Sequence, residues 1–418
     1  MNASEYINEG MSRGYIHPTE SVETLTIDGH RDSYPVYEVR LDQLKYNIRN
    51  GRIATHISRF KQEKGELPPD GSEDMNMLVE GFIEEENPQR LKKTKLDIKA
   101  KGQQRPAVVL SDGTVIDGNR RFTCLRQLER EEGQSRYLRC FVLDSALDDK
   151  SLKGLELELQ FGQDEKLSYD PVARLVDIYE WCIAGDLDQD FYRTKSGLTK
   201  AEMDSFVAQA KLMVEFLEFI NADGQFHIVE DLKLQGPLNE LVLILKKCHD
   251  DDKAEDIKVV AFTNFLTRGD TDITRLTRNM GKVLNSQEGD VAEDFIEEQI
   301  DISTTVLDKI SELPPDKDVD IAFIRDVIRA DQEVVQRQRA SYDKYKSILD
   351  NAHIKDEQLR LVKQAESYLQ KVVAGIFPKL EPELLSSIID SLSGVRSLAD
   401  ALDGAAHDAL SGKSSEES

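Results

Sequence analysis

The sequence predicts an α+β fold, in which a small α/β domain occupies the N-terminal part of the chain and a mostly α-helical half follows. Three observations support this class. Short β-branched runs alternate with helix-patterned segments up to about residue 165. From Pro171 onward, apolar residues recur at helical spacing. Finally, 418 residues are too many for one ordinary core, so we expect two or three folding units.

The first elements of the α/β domain follow in chain order. Residues 1–33 are polar and are predicted to be irregular. The stretch YPVYEVRLDQL, residues 34–44, alternates apolar and polar side chains and predicts a strand that enters a short helix. Residues 67–76, rich in Pro, Gly and acids, predict an exposed loop. The next segment has helical character, and Gly102 is expected to end it.

A hairpin, a helix and a last strand complete this domain. The runs PAVVL and TVI predict two strands joined by a turn at Asp112-Gly113. Apolar spacing in FTCLRQL predicts a helix that begins near Asn119. RYLRCFVLD then predicts another strand, so we expect the domain to span residues 34–165.

The remainder is predicted to be helical. Residues 166–300 should form one helical domain and residues 301–400 a second, with a disordered tail at 401–418. Apolar positions between residues 359 and 376 recur close to every 3.5 residues. We expect these apolar positions, here called the seam, to pack against other parts of the same chain. Packing against a second copy, in a homodimer, is the alternative.

Composition restricts the function. The net charge of −25 repels a polyanion over the molecule as a whole, so any DNA contact requires a local basic face. The four cysteines are far apart and form no CxxC pair, so no metal site is predicted. The sequence shows no basic segment followed by an apolar stretch and no long apolar window, which predicts a cytoplasmic protein without membrane contact.

The densest basic run is RLKKTKLDIKAKGQQR, residues 90–105, with seven Lys or Arg and a single Asp. Its lysines are candidates to contact DNA or a protein partner. A solvated helix face is the alternative interpretation. The candidate residues are Lys92, Lys93, Lys95, Lys99 and Lys101.

The stretch VIDGNRRF, immediately after the hairpin, predicts an anion site. A strand ends, the chain turns through Asp117-Gly118-Asn119, and a helix begins with Arg120 and Arg121. Glycine lets a ligand approach the backbone, and the unpaired amides of a helix start carry a positive partial charge. Two guanidinium groups add donors that suit phosphate oxygens. Surface ion pairs with nearby glutamates are the alternative role for these arginines.

The order of these elements resembles the ParB/sulfiredoxin superfamily. The resemblance begins at YPVYEVRLDQLKYNIRNGRI and continues through LKKTKLDIKAKGQQRPAVVL. VIDGNRRFTCLRQL is similar to the signature turn of the family, and LELELQFGQDEKLSYDPVARLVDIYEW is similar to its third conserved element. Together these segments cover about 130 residues, and the DGNRR turn is the most specific of them.

The resemblance implies a small domain that binds the phosphates of CTP or ATP, in some relatives with Mg²⁺. By position, one phosphate-side loop would comprise Gly102, Gln103, Gln104 and Arg105. The second would comprise Asp117, Gly118, Asn119, Arg120 and Arg121, with Gln163 from the third element.

Departures from the family pattern limit the activity. The third element lacks the acid and the terminal arginine of partition proteins, so metal-assisted hydrolysis of a triphosphate is in doubt. A sulfiredoxin requires a nucleophilic cysteine in the turn, where this chain has Asn119, which excludes that activity. LTKAEM resembles the first helix of a helix-turn-helix, yet the following helix offers only Lys211 to DNA. That segment is predicted to be a core helix.

Three functions are compatible with these observations. The first is a nucleotide-responsive switch in DNA-associated processes such as partition, mobile-element maintenance or antiviral defence, with a protein partner or a second copy of the chain. The second is a metal-dependent phosphotransferase, NTPase or nuclease, for which Asp117 and Glu158 would hold the metal. The third is a protein-interaction adaptor without a ligand.

Overall fold

A computed structural model describes residues 2–27, 30–145, 148–161, 171–268, 272–286, 290–314 and 317–416. The chain divides into two compact units, Met1–Lys346 and Ser347–Ser418. The predicted domain boundary near residue 165 lies outside the described residues. The boundary predicted at residue 300 does not coincide with this division, because residue 300 lies within the continuous helix Val291–Ser311 of the first unit.

A mixed β-sheet organises the N-terminal part of the first unit. Its strands are β1 (Ile16–Ile27), β2 (His30–Arg40), β3 (Lys45–Tyr46), β4 (Ala107–Leu110), β5 (Thr114–Asp117) and β6 (Tyr137–Leu143). Their order is β1-β2-β6-β4-β5-β3. The β1–β2, β2–β6 and β4–β5 pairs are antiparallel, and the β6–β4 and β5–β3 pairs are parallel. The predicted strands and the hairpin at Asp112-Gly113 are therefore confirmed.

Helices cover both faces of the sheet. They are α1 (Ala3–Arg13), α2 (Ala54–Lys64), α3 (Glu73–Glu86), α4 (Pro88–Lys101), α5 (Asn119–Glu132) and α6 (Asp149–Phe161). Successive strand residues point to opposite faces, so Val109 packs into the core that contains α3, α4 and α5. Its neighbour Val108 packs into the core beneath α6, with Leu155 and Leu159.

The prediction that residues 1–33 are irregular is wrong. Helix α1 begins with a capping box, in which the Asn2 side chain accepts from the Glu5 amide and the Glu5 side chain accepts from the Asn2 amide. Strand β1 then pairs with β2 along its length, with an irregularity between Pro18 and Val22. Along β1, exposed residues alternate with partly buried ones, and many of both kinds are polar. An edge strand of this kind lacks the regular apolar pattern by which a strand is predicted from sequence.

The helix predicted to end at Gly102 is two helices. The Asn87 side chain caps α4 by accepting from the Arg90 amide, and Pro88 occupies the first turn. Proline cannot donate the backbone hydrogen bond that would continue α3 into α4. Gly102 does end α4, with φ +72°. The break between α3 and α4 places the start of α4 beside the cavity described in the next subsection.

The rest of the first unit is helical, as predicted. Its helices are α7 (Pro171–Ile178), α8 (Gln189–Ser196), α9 (Lys200–Phe219), α10 (Phe226–Asp231), α11 (Gln235–Leu245), α12 (Asp251–Thr267), α13 (Ile273–Leu284), α14 (Val291–Ser311), α15 (Ile321–Phe323) and α16 (Gln332–Gln370). A π-helical turn, Tyr179–Ile183, extends α7. Leu212, Phe216 and Leu217 of α9 are buried and Lys211 is exposed, so α9 is a core helix.

The second unit contains the end of α16, a 3₁₀ turn (Ala374–Lys379) and α17 (Pro382–Glu416). The prediction of a disordered tail is therefore wrong for residues 401–416, which continue α17. Leu359 and Val362 of the predicted seam are each 57% exposed, and the packing of the seam within the chain stays a prediction. Apolar periodicity defines a face but does not identify what covers it.

Among the described residues, no helix combines the length and apolar character needed to cross a membrane.

Candidate functional site

A cavity of about 1220 Å³ opens between α3, α4 and the two predicted phosphate-side loops. It gathers the predicted residues from both loops, although 12 residues of hairpin and turn separate Arg105 from Gly118 in sequence. The predicted residues that line it are Gly102, Gln103, Gln104, Arg105, Asp117, Gly118, Asn119, Arg120 and Arg121. Gln163 lies outside the described residues, and Gln160 of α6 lines the cavity instead.

The lining of this cavity is cationic. Its charged members among the described residues are six bases and three acids, a net charge of +3 in a chain of net charge −25. The bases are Arg52, Arg90, Lys93, Arg105, Arg120 and Arg121, and the acids are Glu86, Asp97 and Asp117. A concave surface with a net charge concentrates ligands of the opposite sign. We refer to it below as the cationic cavity.

The Asp-Gly-Asn turn brings a helix start to this cavity. Gly118 has φ +97°, and a Cβ atom there would lie 2.7 Å from the Ala107 Cβ, so the turn requires glycine. Among the described residues, no side-chain hydrogen bond caps α5 and no acid lies in its first turn, so these residues leave its first amides available. The buried Asn119 Oδ1 has no hydrogen-bond partner among the described residues. The backbone amides at the start of α5 are therefore the groups of this turn that can donate to a ligand.

The two adjacent arginines have different surroundings. Arg121 Nη1 donates to the carbonyl oxygens of Arg105 (2.6 Å) and Pro106 (2.9 Å), and its Nη2 donates to Asp117 Oδ2 (2.8 Å). Arg121 thus fastens one predicted loop to the other. The sequence predicted two equivalent phosphate donors, whereas most donors of Arg121 are already used by the chain itself.

Arg120 is half-buried and, in the part of the chain that the structure describes, makes no hydrogen bond or ion pair. Burial lowers the pKa of its guanidinium, the acid Glu86 partly opposes this effect, and the like charges of Arg90 and Arg52 lower the pKa further. Binding of an anion would stabilise a half-buried guanidinium in such surroundings. Arg120 is therefore the best-placed ligand group of the turn.

The glutamines of the first loop shape the cavity wall. Gln103 is buried; its Nε2 donates to the Arg139 carbonyl oxygen (2.7 Å), and its Oε1 accepts from the Arg139 amide (2.9 Å). Gln104 is exposed, and its Nε2 donates to the Lys101 carbonyl oxygen (2.6 Å) at the end of α4. Both side chains thus make contacts that position the loop backbone. Arg105 is exposed at the cavity edge.

Sequence reasoning missed Arg52 and Arg90. Arg52 lies in a 3₁₀ turn whose Asn50 side chain accepts from the Arg52 amide (3.1 Å). Arg90 lies in the first turn of α4, where the Asn87-Pro88 pair was a recognisable helix-start signal. Arg52 lies in the first segment that resembles the family and Arg90 begins the basic run, but only tertiary structure shows that both line the cavity with Arg120.

The carboxylates proposed to hold a metal are engaged elsewhere. Asp117 pairs with Arg121 at 2.8 Å, and Glu158 pairs with Lys195 Nζ at 2.7 Å. Within the described ranges, no group of three or more His, Cys, Asp or Glu side chains is arranged to hold a metal ion. These residues do not provide a ready-made metal site.

The predicted basic run lies on α4, and acids of the same chain neutralise part of it. Lys95 pairs with Glu131, Lys99 with Glu132 (3.3 Å) and Lys101 with Asp97 (2.7 Å). Exposed pairs of this kind contribute little stability, but they reduce the field that would attract a polyanion. Lys92 is exposed, and Lys93 is the lysine of this run that lines the cationic cavity.

Comparison with models of protein families and with curated proteins finds no match to this chain. The site is therefore described by its own geometry: a cationic cavity at an uncapped helix start, with Arg120 available and Arg121 holding the two loops together.

Proposed function

We propose that this protein is a ParB-like switch that binds a nucleoside triphosphate, CTP or ATP, and acts in DNA-associated processes such as partition, mobile-element maintenance or antiviral defence. The observation that carries the proposal is the positive charge of the cationic cavity within an acidic chain. The choice of process rests on the resemblance of the DGNRR segment to the superfamily, and the choice of a phosphate ligand rests on the residues themselves.

Three features support a polyphosphate as the ligand. Burial disfavours the charge of Arg120, which makes no ion pair with the described residues, so a phosphate oxygen would stabilise its guanidinium. The first amides of α5 can donate to phosphate oxygens, as at many helix N-termini. The volume of about 1220 Å³ leaves room for a base and ribose as well as the phosphates.

A switch is favoured over an enzyme because of how the acids are used. Asp117 and Glu158 both form close ion pairs, so neither is poised to activate water or to hold a metal. Transient binding with slow or absent turnover is then the expected behaviour. DNA association would require a partner or a second copy, because the α4 lysines are largely paired and the chain is acidic overall.

Isothermal titration with CTP, ATP and inorganic triphosphate, each with and without Mg²⁺, tests this function. We expect one nucleotide to bind the full chain, with little phosphate released in a parallel assay. The variant Arg120→Ala should weaken binding by about 10- to 100-fold, since a charged hydrogen bond contributes roughly 1.5–3 kcal/mol. Arg120→Lys should recover only part of the loss, because lysine retains the charge without the fork.

Arg13→Ala is the matched control, because Arg13 is an exposed arginine on α1 with a side chain that is 70% accessible. It removes the same charge without touching the cationic cavity and should leave binding unchanged. Equal binding by wild type and Arg120→Ala, or no binding of any of the three ligands, would refute the proposed site. Rapid hydrolysis would support the enzyme instead of the switch.

A further inference from the structure

Residues 47–54, here called the wall segment, separate the cationic cavity from a second cavity of about 620 Å³. The residues of this segment that line the cationic cavity are Asn47, Asn50, Arg52 and Ile53. Those that line the second cavity are Ile48, Arg49, Asn50 and Ala54. One short stretch of backbone therefore forms part of both sites, and Asn50 contributes to each.

Hydrogen bonds hold the wall segment in two successive turns. Asn47 Oδ1 accepts from the Arg49 amide (3.0 Å), and Asn50 Oδ1 accepts from the Arg52 amide (3.1 Å). The Ile53 amide donates to the Asn50 carbonyl oxygen (3.0 Å). Because these turns fix the backbone, a side chain on one side cannot move far without disturbing the residues that face the other side.

The second cavity differs from the cationic cavity in its chemistry. Its apolar lining residues are Ile48, Ala54, Ile57, Leu67, Trp181 and Leu187. Its charged residues balance, with three bases and three acids: Arg49, Lys61, Lys150, Asp149, Glu180 and Asp186. A site with apolar lining residues and no net charge favours an uncharged ligand. Its volume also falls within the range of about 300–1000 Å³ that is usual for sites of small organic molecules.

Trp181 gives this cavity a rigid aromatic side. It is the only tryptophan in the chain and lies in the π-helical turn Tyr179–Ile183, an irregular helix geometry that is common at functional sites. The buried Lys153 Nζ lies 5.3 Å from its ring centroid and holds the ring by a cation–π contact. A fixed aromatic ring beside aliphatic side chains suits a flat apolar ligand.

We propose that the second cavity binds a neutral, predominantly apolar small molecule with an aromatic ring, and that its occupancy alters ligand affinity in the cationic cavity through the wall segment. The first part depends only on the second cavity. The second part rests on the proposed function, because it requires a nucleotide in the cationic cavity.

Fluorescence of Trp181 tests the first part directly. Titration of the full chain with the neutral probe N-phenyl-1-naphthylamine should quench the tryptophan emission and reach saturation. Leu67→Arg should weaken this quenching at least about 10-fold, because a charged side chain in the lining opposes an apolar ligand. Leu67 is half-buried in a loop, so the fold should accept the change. Ile48→Gln gives a second, milder variant in the lining of the same cavity, and circular dichroism checks the folding of each.

Leu243→Arg is the control, because Leu243 is 48% exposed on α11 and lines neither cavity. The probe should quench the tryptophan emission of this variant as it does that of the wild type. Quenching that never saturates, or that persists unchanged in folded Leu67→Arg and Ile48→Gln, would overturn the proposed site. Loss of saturation in both variants, but not in the control, would support it.

A repeat of the titration in saturating CTP or ATP tests the second part. We expect the apparent affinity for the probe to change by at least about 5-fold, with a reciprocal change in nucleotide affinity. If both ligands bind without affecting each other, the coupling is wrong and both sites stand. If no nucleotide binds, the proposed function and the coupling fail, while the probe titration still decides the second cavity.

Discussion

Substitution of Gly118 by alanine should destabilise the first unit more than the same substitution at Gly133. Both glycines flank α5 and both have a left-handed backbone, with φ +97° at Gly118 and +66° at Gly133. Alanine in that region costs about 1–2 kcal/mol at either position. The two positions differ in what a new Cβ atom would touch, so their comparison isolates the packing of the turn.

The structure provides the size of this difference. At Gly118 a Cβ atom would lie 2.7 Å from the Ala107 Cβ and 3.1 Å from Arg121 Nη2, whereas at Gly133 it would meet nothing within 4 Å. Relief of such overlap in a packed region typically costs about 1–3 kcal/mol. We therefore expect Gly118→Ala to lower the free energy of unfolding by about 2–5 kcal/mol. Gly133→Ala should lower it by about 1–2 kcal/mol.

Urea unfolding followed by Trp181 fluorescence measures both variants, because the only tryptophan lies in the first unit. Gly118→Ala should also weaken nucleotide binding, since the clash displaces either β4 or the guanidinium of Arg121. Equal destabilisation by the two substitutions would show that Ala107 does not confine the turn. The assigned close contact between the turn and β4 would then be wrong.

Three further predictions concern helices of the first unit. Lys153→Met should destabilise this unit by roughly 3–5 kcal/mol in urea unfolding, because Lys153 Nζ lies 2.5 Å from the buried Asp177 carboxylate, which would keep the hydrogen bond from Tyr192 but lose this cation. Burial lowers the pKa of His227 to about 4 from 6.5, so the unfolded chain binds a proton between these values and the folded chain does not. Stability should therefore fall by up to about 3 kcal/mol as the pH drops from 6.5 to 4, and His227→Gln should remove that part of the slope in pH-dependent unfolding. Thr199→Ala should cost about 1 kcal/mol by the same urea assay, because it breaks the capping box with Glu202 at the start of α9; an unchanged midpoint would contradict that cap.

Local rules were sufficient for the elements that form the turn of the site. The Asp112-Gly113 pair predicted the hairpin, and the run after Gly118 predicted the start of α5 at Asn119. These features depend on φ preferences and on apolar spacing within a few residues, so the local sequence determines them. The same local rules predicted one helix where the structure has α3 and α4. The start of α4 at Asn87-Pro88 was missed, although an N-cap residue followed by proline is a local signal for a helix start.

Tertiary structure decided how the charged residues are used. Arg120 and Arg121 are adjacent and chemically identical, yet one is available and the other is held by Asp117 and two carbonyl groups. Likewise, acids on α5 neutralise Lys95 and Lys99 of α4, which the sequence presented as a free basic face. Composition by itself determined that this acidic chain needs a local positive site for any anion. Which cations form that site depends on distances between segments remote in sequence, and only the packed fold determines those distances.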